Sequence, residues 1–324
     1  MKFVDWIRPG IRVKRWIMLG GMGVLFISFA LAELITKGSY YSVYYKAFYI
    51  FLIITGAFIL YISVSQGMKS IISLINKGYL NVSLDSRKLG NLIYEKRLLV
   101  KGPKIVAIGG GTGLSTMLRG LKYYTSNITA VVTVADDGGG SGALREDLGI
   151  LPPGDIRNCI LALSDTEPLM EDLLQYRFKD GRLKNQSFGN LFLAAMDGIS
   201  TNFEEAVHKM SSVLAVTGRV LPVTLDNVVL KAKLKNGVVV EGESNIPEQA
   251  IIYESPIDKV FIEPEGAKAL QETVQAIKEA DAIILGPGSL YTSVIPNLLV
   301  KDIRNALLKT KALKLYVSNI MTQP

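Results

Sequence analysis

The chain has 324 residues, enough for one or two domains that each bury a real core. Hydrophobic residues make up 49% of it and the mean hydropathy is +0.29, high for a chain that is soluble throughout, so part of it is expected in a bilayer. The net charge of +7 lies largely in the first hundred residues and reads as membrane topology rather than a nucleic-acid surface, while the single cysteine, Cys159, excludes an intrachain disulfide and argues against a cysteine zinc site.

Met1 to Arg15 carries Lys2, Arg8, Arg12, Lys14 and Arg15. Trp16 to Ile35 is apolar except for Glu33, which reads as a residue near the outer interface, a functional intramembrane charge being the alternative. Its length, about twenty residues, is what a helix needs to cross the hydrocarbon. Thr36 to Lys46 is a short polar turn with Tyr40, Tyr41, Tyr44 and Tyr45, and Ala47 to Ser65 is a second apolar run. Basic residues resume with Lys69, Lys77, Arg87, Lys88, Lys96 and Arg97, whereas the intervening loop has only Lys37 and Lys46. The positive-inside rule then predicts a multi-pass protein of the cell membrane, with both termini cytoplasmic and the bilayer contacted by residues 16–35 and 47–65. A cleaved signal peptide fits neither the length of the first run nor the presence of the second. Residues 66–103 read as a basic connector, with a short amphipathic helix around Ile71, Ile72, Leu74 and Ile75 lying on the bilayer, and an apolar, basic patch from Leu89 to Leu99. Gly102-Pro103 marks the start of the next domain, so the expected division is 1–65, 66–103 and 104–324.

Ile105 to Ile108 is an apolar run of the kind that forms a buried strand. Gly109, Gly110, Gly111, Thr112 and Gly113 follow, and then Leu114, Met117, Leu118 and Leu121 recur at helical spacing. Strand, glycine turn and helix together bring unpaired N–H groups up to a phosphate. The match to known fingerprints is incomplete: Leu114 stands where G-x-G-x-x-G has glycine, and there is no P-loop lysine. A plain tight turn is the alternative.

Ile128 to Ala135 is a second buried strand, followed by Asp136, Asp137, Gly138, Gly139, Gly140, Ser141 and Gly142. An acid at that distance holds ribose hydroxyls in dinucleotide folds, and two adjacent acids can hold Mg²⁺; a turn built for backbone reasons is the third reading. Leu151-Pro152-Pro153-Gly154 leads into Asp155, read as the N-cap of a helix bearing Ile156, Ile160 and Leu163, with Arg157 and Asn158 in its first turn. An arginine there opposes the helix dipole and is better placed facing an anion, the alternative being an Arg–Asp pair on a surface helix.

Phe188-Gly189-Asn190 opens a helix, where Asn190 either donates to a ligand or caps. His208, the only histidine, falls in a helical run from Phe203 to Met210 and reads as an ordinary helix residue. Val228 to Leu234 and Gly237 to Glu241 form a β-hairpin, Glu265 to Glu279 an amphipathic helix, and Ala282 to Leu285 another buried strand. Gly286, Pro287, Gly288 and Ser289 then open a helix bearing Leu290 and Val294, a second strand–turn–helix unit and a second candidate anion site. Leu313 to Val317 is the last strand and leads to Asn319. The predicted fold is a doubly wound, Rossmann-like α/β parallel sheet behind a transmembrane helical hairpin. Turns after the strands then converge on one cleft at the carboxyl ends and receive a nucleotide diphosphate.

The ordered motifs G-G-G-T-G-L-S, V-A-D-D-G-G-G-S-G and L-P-P-G-D-I-R-N resemble the gluconeogenesis factor (YvcK-like) family, which is related to the CofD enzyme 2-phospho-L-lactate transferase of coenzyme F420 synthesis. Ser187 to Leu191, Thr217 to Thr224, Gly242-Glu243-Ser244, Leu285 to Ser293 and Asn319 to Pro324 extend the resemblance over about Lys104 to Pro324. It implies a UDP-sugar ligand, best guessed as UDP-N-acetylglucosamine, and a regulator of cell shape, peptidoglycan synthesis and gluconeogenic growth, with no catalytic residue assigned. The related transferase implies an alternative: Mg²⁺ held by Asp137 and Asp155, and a phospho-lactate-like group passed to an acceptor alcohol. A tethered, inert adaptor is a third reading. Gly140 replaces a serine usual in the family and Ala143 stands where arginine is common, and the resemblance implies further sheet and helix beyond Pro324. No nucleic-acid partner is expected, and a homo-oligomer is left open.

Overall fold

The computed structural model describes residues 14–37, 42–78, 98–166 and 168–319. The chain divides into two compact units, Met1–Glu95 and Lys96–Pro324.

In the first unit, helices α1 (Lys14–Lys37) and α2 (Val43–Gly78) are both long and apolar enough to cross a membrane. Within them, only 17% and 11% of the most apolar windows are buried by protein. The two helices meet through glycine: a methyl added at Gly23 would stand 2.8 Å from the Gly56 carbonyl oxygen, and one added at Gly56 the same distance from that of Gly23. Such backbone-to-backbone approach is how apolar helices gain contact where no hydrophobic drive exists between them. Ser63 Oγ donates to the Trp16 carbonyl, and Phe29 meets Tyr49 edge-on with ring centres 6.4 Å apart. Helix α2 continues through Ser65 to Gly78, past the expected end of the second span. The apolar, basic patch expected from Leu89 lies mostly outside the described residues.

The second unit begins before the expected boundary at residue 104. Asn127 Nδ2 donates to the carbonyls of Val100 (2.8 Å) and Gly102 (2.7 Å), Thr125 Oγ1 to that of Pro103 (2.9 Å), and the Ser126 N–H to that of Leu99 (3.0 Å). These bonds hold residues 99–103 to the turn before the second strand. The elements that follow are β1 (Ile105–Gly109), α3 (Gly111–Leu121), β2 (Ile128–Val132), α4 (Gly139–Leu148), α5 (Gly154–Leu163), α6 (Pro168–Gln175), α7 (Phe188–Gly198), α8 (Phe203–Val213) and β3 (Arg219–Pro222). Then come β4 (Val229–Leu234), β5 (Val239–Glu241), α9 (Asn245–Ile252), β6 (Ile257–Glu263), α10 (Gln271–Glu279) and β7 (Ala282–Leu285). A π-turn (Leu290–Val294), α11 (Ile295–Leu299), α12 (Lys301–Lys309) and β8 (Leu313–Tyr316) complete the described fold.

The main sheet has the order β3-β2-β1-β7-β8 with every neighbour parallel, in register Ile105↔Ile128, Ile105↔Ala282, Thr129↔Arg219 and Ala282↔Leu313. This is a doubly wound parallel sheet, the class expected from the sequence, and its switch lies between β1 and β7. β2 is buried at all five positions, as expected of a strand covered on both faces. A second, antiparallel sheet, β5-β4-β6, contains the predicted hairpin. The helix expected over Glu265 to Glu279 forms only as α10, because Pro264 and Gly266 interrupt its start and Ala269 bridges to Thr224 instead.

Candidate functional site

All five strands of the main sheet run the same way, so the turns after β1, β2, β7 and β8 leave from one edge. Gly110 is fully extended (φ −170°) and Gly111 has φ +68°, a left-handed conformation that strains any residue with a side chain. Helix α3 therefore starts abruptly, and no side chain caps it. Its first-turn N–H groups have no intrahelical acceptor. One of them is taken: the Gly111 N–H donates to Asp155 Oδ2 at 2.7 Å.

The turn after β7 is built against this one. A methyl at Gly113 would stand 2.9 Å from the Pro287 carbonyl oxygen and 3.2 Å from the Gly288 nitrogen, so only glycine lets the two turns touch. Asn319 Nδ2, beyond β8, donates to the Gly288 carbonyl at 3.1 Å, and Asn297 Nδ2 reaches the Gly109 carbonyl at 3.2 Å. Gly109 to Gly113, Gly286 to Gly288 and Asn319 are thus contiguous at the switch between β1 and β7, with Ser289 next in the chain.

The turn after β2 lies beside them. Asp136 Oδ1 accepts the Gly138 N–H at 3.0 Å, and Ser141 Oγ accepts the Gly154 N–H at 3.1 Å, tying the start of α4 to the start of α5. Gly142 packs on the Asp137 carbonyl, while Gly139 is exposed at φ +47°. Asp137 Oδ1 accepts the Ser244 N–H at 2.9 Å, in the turn after β5. Like α3, helices α4 and α5 have no side-chain N-cap.

Asp155 is not the cap the sequence suggested. Pro153 holds that position, and Asp155 sits in the first turn of α5 with its carboxylate turned across to Gly111. Burial, then the neighbouring Asp136, then Glu243, push its carboxyl up to about 7, against the pull of the Gly111 N–H and Arg157. Glu243 is itself raised, by burial first and then by Asp136 and Asp137, although its bond to Thr292 opposes this. Asp155 therefore has Asp136 and Glu243 as its acidic neighbours, and the expected partner Asp137 is bonded into the 242–244 turn. Arg145 is lowered by burial against the pull of Asp137 and Asp136.

Arg157 is 8% exposed and lowered by burial, with Arg177 adding to the effect. Its Nη1 reaches the Leu174 carbonyl at only 3.5 Å, and its Nε is buried with no partner. Asn158 follows it, half-buried. Asn190 does not cap its helix: Ser187 does, accepting the Asn190 N–H at 3.2 Å, and Asn190 Oδ1 is buried without a partner. Glu243, Thr292, Asn297 and Gln186 were not singled out as site residues from the sequence. Two of them lay within motifs: Thr292 in Leu285 to Ser293, and Glu243 in Gly242-Glu243-Ser244, whose Gly242 has φ +100° and packs against Asp137.

His208 lies on α8 with Nε2 3.6 Å from Glu272 of α10. With Glu204 they form a group of metal-ligating side chains within 4.8 Å of one another, and none belongs to the glycine turns.

A five-stranded, doubly wound parallel sheet with opposed glycine turns at its switch point defines an α/β protein whose glycine turns gather at the carboxyl edge of the sheet. Residues 105–324 match the family model for CofD, 2-phospho-L-lactate transferase. The chain belongs to the gluconeogenesis factor family and carries that family's CofD-type domain. A Clostridium acetobutylicum protein grouped with these factors is 94% identical over 324 residues, covering 100% of this chain and 72% of its own length. The gluconeogenesis factor of Bacillus subtilis is 56% identical over 223 residues, 68% of this chain and 69% of its own. A Nostoc relative is 46% identical and covers 100% of this chain, hairpin included, whereas the Bacillus match does not extend over a third of it. A crystal structure of a Bacillus halodurans protein superposes with a TM-score of 0.65 at 49% identity, over 68% of this chain and 70% of that one.

Proposed function

We infer that the cleft binds a nucleotide diphosphate sugar, of the UDP-N-acetylglucosamine kind, and that the protein is a regulator rather than an enzyme. The observation that carries this is the contact between the turns after β1 and β7, where Gly113 lies against Pro287 and Gly288 with an uncapped helix start behind. Backbone N–H groups at such a place suit a pyrophosphate. The excess of Lys and Arg flanking two apolar helices supports a membrane-tethered, multi-pass protein with a cytoplasmic α/β unit. Membership of the gluconeogenesis factor family supports a role in cell shape, cell-wall synthesis and growth on gluconeogenic carbon.

A second reading rests on the acids. Asp136, Asp137 and Asp155 each spend one carboxylate oxygen on a backbone N–H, leaving the other available, and Glu243 joins them. Such hard oxygen donors fit Mg²⁺, and a cation there would offset the repulsion that adds to burial in raising Asp155 and Glu243. We assign Asp155 to hold it, with Asp136 the acid beside it and Asp137, whose Oδ1 is bonded to the Ser244 N–H, offering its second oxygen. Bound there, Mg²⁺ would neutralise phosphate charge, which is what a transferase of the 2-phospho-L-lactate type needs. The discriminating experiment is calorimetry of the full chain in detergent with UDP-N-acetylglucosamine and Mg²⁺, followed by product analysis. Saturable binding without turnover supports the regulator, product formation supports the transferase, and no nucleotide binding supports a tethered adaptor.

A further inference from the structure

Five buried side-chain atoms among the described residues have no hydrogen-bond partner, and three of them lie in or against one segment: Arg157 Nε, Gln186 Oε1 and Asn190 Oδ1. All three residues are nine-tenths or more buried, at 8%, 9% and 3% exposure. Two contacts hold the segment 186–190 to the cleft. A methyl at Gly140, in the first turn of α4, would stand 2.7 Å from Gln186 Oε1, and one at Gly189 would stand 2.5 Å from Arg157 Cδ. Arg157 is two residues from Asp155, which is bonded to Gly111 of the glycine turn. Arg157 thus shares the first turn of α5 with Asp155, and Gln186 lies against the first turn of α4, the two helix starts that flank the glycine turn.

We propose that Gln186, Asn190 and Arg157 line an inner compartment of the cleft that recognises the hydroxyl-bearing group carried beyond the pyrophosphate. This rests on the pyrophosphate reading above. The chemistry follows from what is left unpaired. A buried donor or acceptor without a partner destabilises the fold, so three together call for an occupant. Two are carbonyl oxygens, which need a donor, and one is a guanidinium N–H, which needs an acceptor. Adjacent hydroxyls of a sugar supply both. A carboxylate or phosphate supplies acceptors only and would leave Gln186 Oε1 and Asn190 Oδ1 unsatisfied, so the compartment selects a neutral polyhydroxy group over an acid. Gly140 belongs to the same wall, because any side chain there displaces the Gln186 amide.

The test is calorimetric titration of the full chain in detergent with UDP and with UDP-N-acetylglucosamine. Wild type should bind the sugar nucleotide more tightly than UDP. Gln186→Leu should lose about fivefold to tenfold of affinity for UDP-N-acetylglucosamine, the size of one hydrogen bond, with UDP affinity unchanged. Gly140→Ala should reproduce that pattern, and the retained UDP affinity certifies the fold in both. Unchanged affinity for both ligands would mean that water alone fills the compartment, and an equal loss for both would place Gln186 outside sugar recognition; either overturns the proposal. A wild type that binds UDP and UDP-N-acetylglucosamine equally overturns it while leaving the pyrophosphate reading intact. A wild type that binds neither removes that reading as well.

Discussion

Asp155 is where fold stability and the cleft's chemistry pull in opposite directions, and Asp155→Asn separates them. Its carboxyl, ordinarily near 3.8, is pushed up to about 7, first by burial and then by Asp136. The sign follows from proton counting. Between about pH 4 and 7 the folded chain holds a proton that the unfolded chain has released, so stability falls as pH rises through that window. The slope is about 1.4 kcal/mol per pH unit, so holding the carboxylate ionised above pH 7 costs roughly 4 kcal/mol. Asparagine keeps an oxygen to accept the Gly111 N–H, which Asp155 Oδ2 now does at 2.7 Å, and removes the charge. Scanning calorimetry of the full chain in detergent without ligand should show the wild-type α/β transition falling between pH 5 and 8. Asp155→Asn should fall less steeply across that range, since Glu243 is still raised, matching wild type near pH 4–5 and exceeding it by about 2–4 kcal/mol at pH 8. Parallel curves for the two proteins would refute the reasoning. With Mg²⁺ and nucleotide present the order should reverse, because the cation then finds one ligand fewer.

Three other experiments probe the glycine turns, the acids and the hairpin. Gly113→Ala places a methyl 2.9 Å from the Pro287 carbonyl, so it should cost about 1–3 kcal/mol in thermal unfolding and also weaken nucleotide binding; a fully stable variant with normal affinity would separate the two glycine turns. Asp137→Asn should weaken nucleotide binding about tenfold in Mg²⁺ and little in EDTA, and an equal loss in both would remove Asp137 from metal ligation. Within the hairpin, cysteines introduced by Gly20→Cys and Ser63→Cys should cross-link readily, since a methyl at Gly20 would lie 2.7 Å from Ser63 Oγ. Adding Gly56→Leu, whose side chain has no room against Gly23, should abolish that cross-link, and its persistence would mean that α1 and α2 do not pack through these glycines.

What could be read from the sequence, and what could not, divides along the range of the forces involved. Strands buried on both faces announce themselves as apolar runs, so β1, β2 and β7 were legible, and with parallel strands the order of turns along one edge follows from chain connectivity. The glycines were legible because close approach excludes every other residue, although the reason differs at each: backbone conformation at Gly111, the neighbouring turn at Gly113. Side-chain partners were not. Asp155 looked like a cap because the preceding Pro-Pro-Gly turn has that local form, but its carboxylate bonds 44 residues back along the chain, and no local pattern encodes that choice. Glu243 and Asp137 meet only because the β4–β5 hairpin returns its following turn to the cleft, a contact spanning 107 residues at Ser244. Gln186 is the extreme case: nothing in Asn185-Gln186-Ser187 distinguishes it from a surface residue, and only its burial opposite Gly140, with its carbonyl oxygen unpaired, points to a ligand. Local rules thus locate the rim of this cleft, whereas the residues that would choose its occupant are set by tertiary contacts between distant segments.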